Sequence, residues 1–223
     1  RARPDHTGCP MAAAIIRNKI HSAVLAEART GRLGRSLEQR LPQLRDKLVL
    51  PEQDPVAGLL AFVTGYVESV PDCLLLVTAV SKHMGFYDYA APLLDMAEDY
   101  FLHPPADLPS DDGLGGLLDE AFLAHRLLEE VNDHHIRHLQ RPMLPVDMTE
   151  ANVIVHHLLG DDLANQLDQK VHETATKLLE REYVWARVRV LPASSEPSGQ
   201  LFKYDKLSWS SRQIRLRLAC EAS

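Results

Sequence analysis

Cysteine is scarce in this 223-residue chain. Cys9, Cys73 and Cys220 are odd in number and far apart, with no C-x-x-C pair. That argues against a disulfide framework and a thiolate zinc site, and it favours a reducing, cytoplasmic compartment. Eleven Gly and fourteen Pro are too few for collagen-like or glycine-rich low-complexity sequence. No apolar run is long and unbroken. The longest, Val56 to Val80, is interrupted by Glu68, Pro71 and Asp72, and each half is too short to span a bilayer. No membrane association is therefore expected. His6-Thr7-Gly8-Cys9 has no apolar stretch before it, unlike a lipoprotein signal. The chain opens on Arg1 rather than Met, as a trimmed N-terminus would. The common catalytic signatures are missing too: no G-x-S-x-G, no phosphate-binding G-x-x-x-x-G-K-[ST], no H-E-x-x-H, and no G-x-G-x-x-G after a strand.

What is present suits a globular protein. Hydrophobic residues are 45% and charged residues 25%, enough for a substantial core and too apolar for wholesale disorder. Net charge is −7, which excludes a general polyanion binder. The charge is polarised, however. Residues 17–48 carry eight bases against three acids, a net of +5. Residues 88–133 carry twelve acids and one base, Arg126, a net of −11. Residues 182–223 return to +3, with seven bases against four acids. Such polarity can steer a partner, or the two regions can face one another within the chain or across a homo-oligomer.

Periodicity predicts a mainly α protein. Ile16, Ile20, Val24 and Ala28 recur every four residues and give a helix over about 11–29, with Gly31 as its stop. Leu37, Leu41 and Leu44 give a short second helix, broken near Pro42. Asp54 caps the next helix and Pro55 takes its first position, over about 55–69. Pro71 opens another, through about Lys82. Further helices are expected over 87–102, 114–139 and 148–159, and one begins at Asp161-Asp162, where carboxylates complement the helix dipole. Asp147 and Glu150 have capping-box spacing, and Gly160 closes the helix they open. Residues 103–115, rich in Pro, Asp, Ser and Gly, form the clearest loop, a candidate lid or joint. Gly113-Leu114-Gly115-Gly116 could hold an anion at a helix start, although Asp111 and Asp112 beside it disfavour phosphate. The period then becomes two. Val184 to Val190 and Ile214 to Leu218 alternate apolar residues with Arg187, Arg189, Arg215 and Arg217, which argues strands, with continuation of the preceding helix to Leu191 as the alternative for the first. The expected architecture is a multi-helix orthogonal or bundle-like domain over 11–182. A disordered lead of residues 1–10 is expected before it, and a small C-terminal antiparallel β hairpin or meander packed on it within 183–223.

Histidine is the informative residue. Six of eleven lie between positions 125 and 157: His125, His134, His135, His138, His156 and His157. At about 100° per residue, the 114–139 helix buries the face of Leu117, Leu118, Ala121, Phe122, Leu128 and Val131. His125, Asn132 and His135 fall within that face, and Glu129 at its edge. Glu130 and His134 fall outside it, and His172 reads as a surface pair with Asp168 one turn earlier. Asn152 and His156 are one turn apart, on one flank of the otherwise apolar 148–159 helix. If the two helices pack together, His125, Glu129, Asn132, His135, Asn152 and His156 converge.

Three readings of that set compete. It is a satisfied hydrogen-bond network that fixes helix register, a polar pocket for a small ligand, or a divalent-metal centre ligated by His125, Glu129 and His156. Paired E-x-x-H motifs of bundle di-iron proteins are absent. The C-terminal arginines with Tyr183, Trp185 and Trp209 could contact single-stranded nucleic acid, but +3 is far below a nucleic-acid-binding patch. A strand edge for a protein partner or for self-association as a homodimer suits them better. Two functions follow as expectations. One is non-enzymatic binding of a protein partner or small ligand. The other is a metal- or general-base-dependent enzyme with its His/Glu site between the 114–139 and 148–159 helices.

Overall fold

The structure is a computed structural model, and it describes residues 10–83, 85, 87–105, 113–139, 147–179 and 214–217. Residues 1–9 of the expected N-terminal lead, residues 106–112 of the expected loop and the alternating segment Val184 to Val190 lie outside the described residues. So do Trp185, Trp209, Arg187 and Arg189.

Among the described residues, seven helices and two short strands follow in the order α1 (Pro10–Thr30), α2 (Arg32–Lys47), β1 (Leu48–Val49), α3 (Pro55–His83), α4 (Tyr87–Leu102), α5 (Leu114–Leu139), α6 (Thr149–Leu159), α7 (Asp161–Leu179) and β2 (Arg215–Leu216). The fold is mainly α, as the periodicity predicts. The punctuation is also local. Gly31, at φ 58°, joins α1 to α2 in the left-handed region that glycine adopts without strain. The Asp54 carboxylate accepts the Ala57 N–H at 3.0 Å and starts α3. Asp147 accepts the Thr149 N–H at 3.0 Å. Gly160, at φ 94°, turns the chain from α6 into α7.

Two expectations about proline fail in the same way. Helix α2 runs unbroken through Pro42, and α3 is one helix of 29 residues through Pro71 rather than two. An interior proline costs a helix about 3 kcal/mol. Around Pro71, however, Val67, Val70, Leu74 and Val77 are all buried, and each contributes about 1.5–3 kcal/mol on burial. Packing on both sides of the proline outweighs its local penalty. The merged helix is also long and apolar enough, by length and composition, to cross a membrane. Half of the qualifying window is buried inside the molecule, as in the core helix of a bundle.

The centre is shared by α3 and α5. Helix α5 packs against α1, α3, α4, α6 and α7, and nine of its residues from Leu117 to Val131 are buried apolar side chains on nearly all its faces. Lys19 on α1 reaches Glu120 on α5 at 2.6 Å and the Phe101 carbonyl at 2.9 Å. This pair joins the basic and acidic segments within the chain. The C-terminal strand finds a distant partner. β2 pairs antiparallel with β1, Leu48 opposite Leu216 and Val49 opposite Arg215. Its neighbour Ile214 is buried, and β2 also packs on α6.

Candidate functional site

Four helices bring polar side chains together beneath the surface. Tyr66 on α3 is fully buried, and its hydroxyl donates to Asn152 Oδ1 on α6 at 2.7 Å. Asn152 Nδ2 donates to Glu129 Oε2 on α5 at 2.6 Å. The same Glu129 oxygen accepts from Arg126 Nη1, one turn earlier on α5. Arg126 Nε donates to Asp168 Oδ1 on α7 at 2.8 Å. One chain of hydrogen bonds therefore runs Tyr66–Asn152–Glu129–Arg126–Asp168 and ties α3, α6, α5 and α7 together. Burial works against the Arg126 charge, but bonds to Asp168 and Glu129 outweigh it and hold its pKa above the ordinary value. Burial, helped by the Glu129 charge, pushes the Tyr66 hydroxyl well above its ordinary range, so it stays a neutral donor.

His125 sits beside this chain. It is fully buried, and its ring lies edge-on to Tyr66 with centroids 4.7 Å apart. Its Nε2 is 3.1 Å from Ser69 Oγ and 3.2 Å from the Tyr66 carbonyl. Ser69 Oγ directs its own proton to that carbonyl, at 2.8 Å. A carbonyl only accepts, so the partners assign the His125 proton to Nε2. Burial pushes the His125 pKa down to about 4, against the opposing pull of the Tyr66 carbonyl, and the ring is neutral at ordinary pH.

The six residues singled out from the sequence thus have different fates. Glu129 and Asn152 meet directly. His125 joins them through Tyr66. His156, on the rim of α6, approaches the far end of the chain, its Nε2 3.8 Å from Asp168 Oδ2. Asn132 is half-buried on α5. His135 lies in α5, and its side chain is outside the described residues. The metal set His125, Glu129 and His156 is not assembled. His125 donates through Nε2 to a backbone carbonyl, and Glu129 is held by Arg126 and Asn152. Among the described residues, the group of His, Cys, Asp and Glu whose ligand atoms all lie within 4.8 Å of one another is His156, His157 and Asp161. His172 also departs from expectation. Asp168 takes Arg126 instead, while His172 Nδ1 lies 3.6 Å from Glu130.

Sequence reasoning missed Tyr66, Ser69, Arg126 and Asp168. One signal was available: Arg126 is the lone base among twelve acids in residues 88–133, and an isolated cation in such a segment needs a reason. Tyr66 carried no comparable mark, since an aromatic in an apolar helix reads as core.

A second feature lies at the other end of α5. A cavity of about 360 Å³ opens between the α1–α2 corner and the α5 start, lined by Glu27, Thr30, Arg32, Ser36, Gly113 and Gly115 among others. The Glu27 carboxylate forms part of the wall and accepts the Leu33 and Gly34 N–H groups at 3.0 and 2.9 Å. It supplies the α2 start with the acceptor that Gly31, having no side chain, does not provide. Glycines at 113 and 115 leave the opening of α5 without bulk, so a ligand can approach the backbone there.

No protein-family model matches the chain, and neither a curated protein nor a solved structure does.

Proposed function

We propose that this is a non-catalytic helical protein that binds a small polar ligand in the cavity between the α1–α2 corner and the start of α5. The cavity carries the reading. Its volume falls in the range of small-molecule sites, about 300–1,000 Å³, and carboxylate, guanidinium and hydroxyl groups line it beside an apolar wall of Ala26, Leu33 and Leu114. The buried polar chain supports the same reading from the other side. Glu129 is poorly placed to act as a base, because its Oε2 already accepts hydrogen bonds from both Arg126 and Asn152. The chain of bonds then serves to set helix register. Cys73 is buried with its thiol pushed up to about 12 by burial, so it brings no thiolate chemistry.

A thermal-shift screen of soluble metabolites tests this, run on the wild type beside Ser36→Trp, which fills the cavity from an exposed wall position. A genuine ligand at a hundredfold excess over its Kd is expected to raise the midpoint by about 5–10 °C in the wild type and to lose that effect in Ser36→Trp. Ligands that stabilise both proteins equally, or that are chemically converted, would overturn the proposal.

A further inference from the structure

We infer that the corner between α6 and α7 is a site for a divalent transition metal, built by His156, His157 and Asp161. This is a different place from the ligand cavity and rests on separate observations. Gly160 reverses the chain between the two helices at φ 94° and ψ 150°, and so carries Asp161 back beside the last turn of α6. One ligand atom from each residue lies within 4.8 Å of the others. His156 Nδ1 and Asp161 Oδ1 are 3.9 Å apart. Ligands bound at about 2.0–2.1 Å in tetrahedral geometry are roughly 3.4 Å from one another. Closure on an ion therefore takes side-chain movements of about an ångström or less.

The surroundings orient the donors. His156 Nε2 faces two acceptors, Asn165 Oδ1 at 3.4 Å and Asp168 Oδ2 at 3.8 Å. That arrangement places the proton on Nε2 and leaves the Nδ1 lone pair on the Asp161 side. Asp168 is itself held by Arg126. A carboxylate behind a histidine is the usual support of a metal-bound imidazole. His157 Nδ1 is buried and meets no hydrogen-bond partner among the described residues, whereas buried polar atoms are nearly always paired. Two imidazoles and one carboxylate form a donor set suited to zinc, cobalt, nickel or copper, and leave a coordination position open.

Two cations lie close and must be reconciled with an ion. Arg40 donates to the carbonyls of His157 and Leu158, at the negative end of α6. Lys47 Nζ sits 3.2 and 3.4 Å from the two Asp161 oxygens. The Lys47 and Asp161 side chains are 44% and 63% exposed. An ion pair this exposed contributes little, and the flexible lysine can swing away as a divalent ion arrives.

The test titrates untagged, full-length protein with Zn²⁺ against a chromophoric chelator, and with Co²⁺ by visible absorption. Asp161→Asn, His157→Ala and Lys47→Ala are compared with His103→Ala, an exposed histidine on another surface. The wild type is expected to bind about one equivalent, and Asp161→Asn and His157→Ala to weaken that binding about tenfold or more. Lys47→Ala should bind at least as tightly as wild type, and His103→Ala should match it. Asp161 is exposed, so Asp161→Asn decides the matter even where His157→Ala disturbs folding. Absence of stoichiometric binding, or equal binding by wild type and Asp161→Asn, overturns the inference.

Discussion

Replacing Asn152 by alanine separates a register-fixing network from a ligand site. Asn152 is 3% exposed and makes two short bonds, accepting from the Tyr66 hydroxyl at 2.7 Å and donating to Glu129 at 2.6 Å. Truncation removes the hydrogen bond that the fully buried Tyr66 hydroxyl makes to Asn152, at a cost of about 1–3 kcal/mol. It also removes a bond to a charged acceptor, about 1.5–3 kcal/mol. The two terms share one side chain, so a loss of about 3–4 kcal/mol is expected rather than their full sum. For a domain of this size, that lowers the midpoint by roughly 6–16 °C. Urea unfolding followed by circular dichroism measures it, together with Tyr66→Phe and the double variant. Because the two groups bond directly, the cycle should show a coupling of about 1–2 kcal/mol. A residue kept for ligand binding would behave differently, since such groups are often neutral or costly to stability. Loss of under about 1 kcal/mol in Asn152→Ala, or strict additivity with Tyr66→Phe, would refute the structural role.

Two further outcomes follow. In the unfolded chain His125 takes up a proton below about pH 6.5, whereas the folded ring stays neutral down to about 4. The unfolded state thus binds more protons in that window, so stability falls as pH drops through it, by about 3 kcal/mol in all. His125→Gln should remove this part of the slope, and a wild type and variant with parallel pH–stability curves between 4 and 6.5 would contradict the burial argument. At Gly58, an added Cβ would lie 2.8 Å from Pro51 Cγ. Gly58→Ala should therefore cost about 1–3 kcal/mol by overpacking, despite alanine's better helix propensity, and a thermal midpoint at or above that of wild type would show that the Pro51 loop yields freely.

Much of the architecture was legible one turn at a time. The four-residue recurrence of Ile16, Ile20 and Val24, the Asp54 cap, the glycines at 31 and 160 and the carboxylates at 161–162 act on neighbours within a few positions. Each of those features appears where its local chemistry places it. The wheel of α5 likewise placed His125 inside and Glu129 at the edge, because helical rotation alone settles that. Local reasoning erred at Pro42 and Pro71, where a local penalty is outweighed by side chains packed from other helices. It also had no means of pairing Tyr66 with Asn152 across 86 residues, Arg126 with Asp168 across 42, or Leu48 with Leu216. Those contacts depend on how far each helix is rotated and tilted against its neighbours, which the order of residues along one helix does not express. His156 and His157 make the same point at short range. Successive residues on a helix diverge by about 100°, so the pair carries no metal-binding signal until the turn at Gly160 brings Asp161 beside both rings. Composition and period determined which segments are helices and which faces are apolar. Only the packing of those faces decided that His125 would hydrogen-bond a backbone carbonyl, that Glu129 would be neutralised by Arg126, and that the cluster with metal-ligand spacing would stand at the α6–α7 corner.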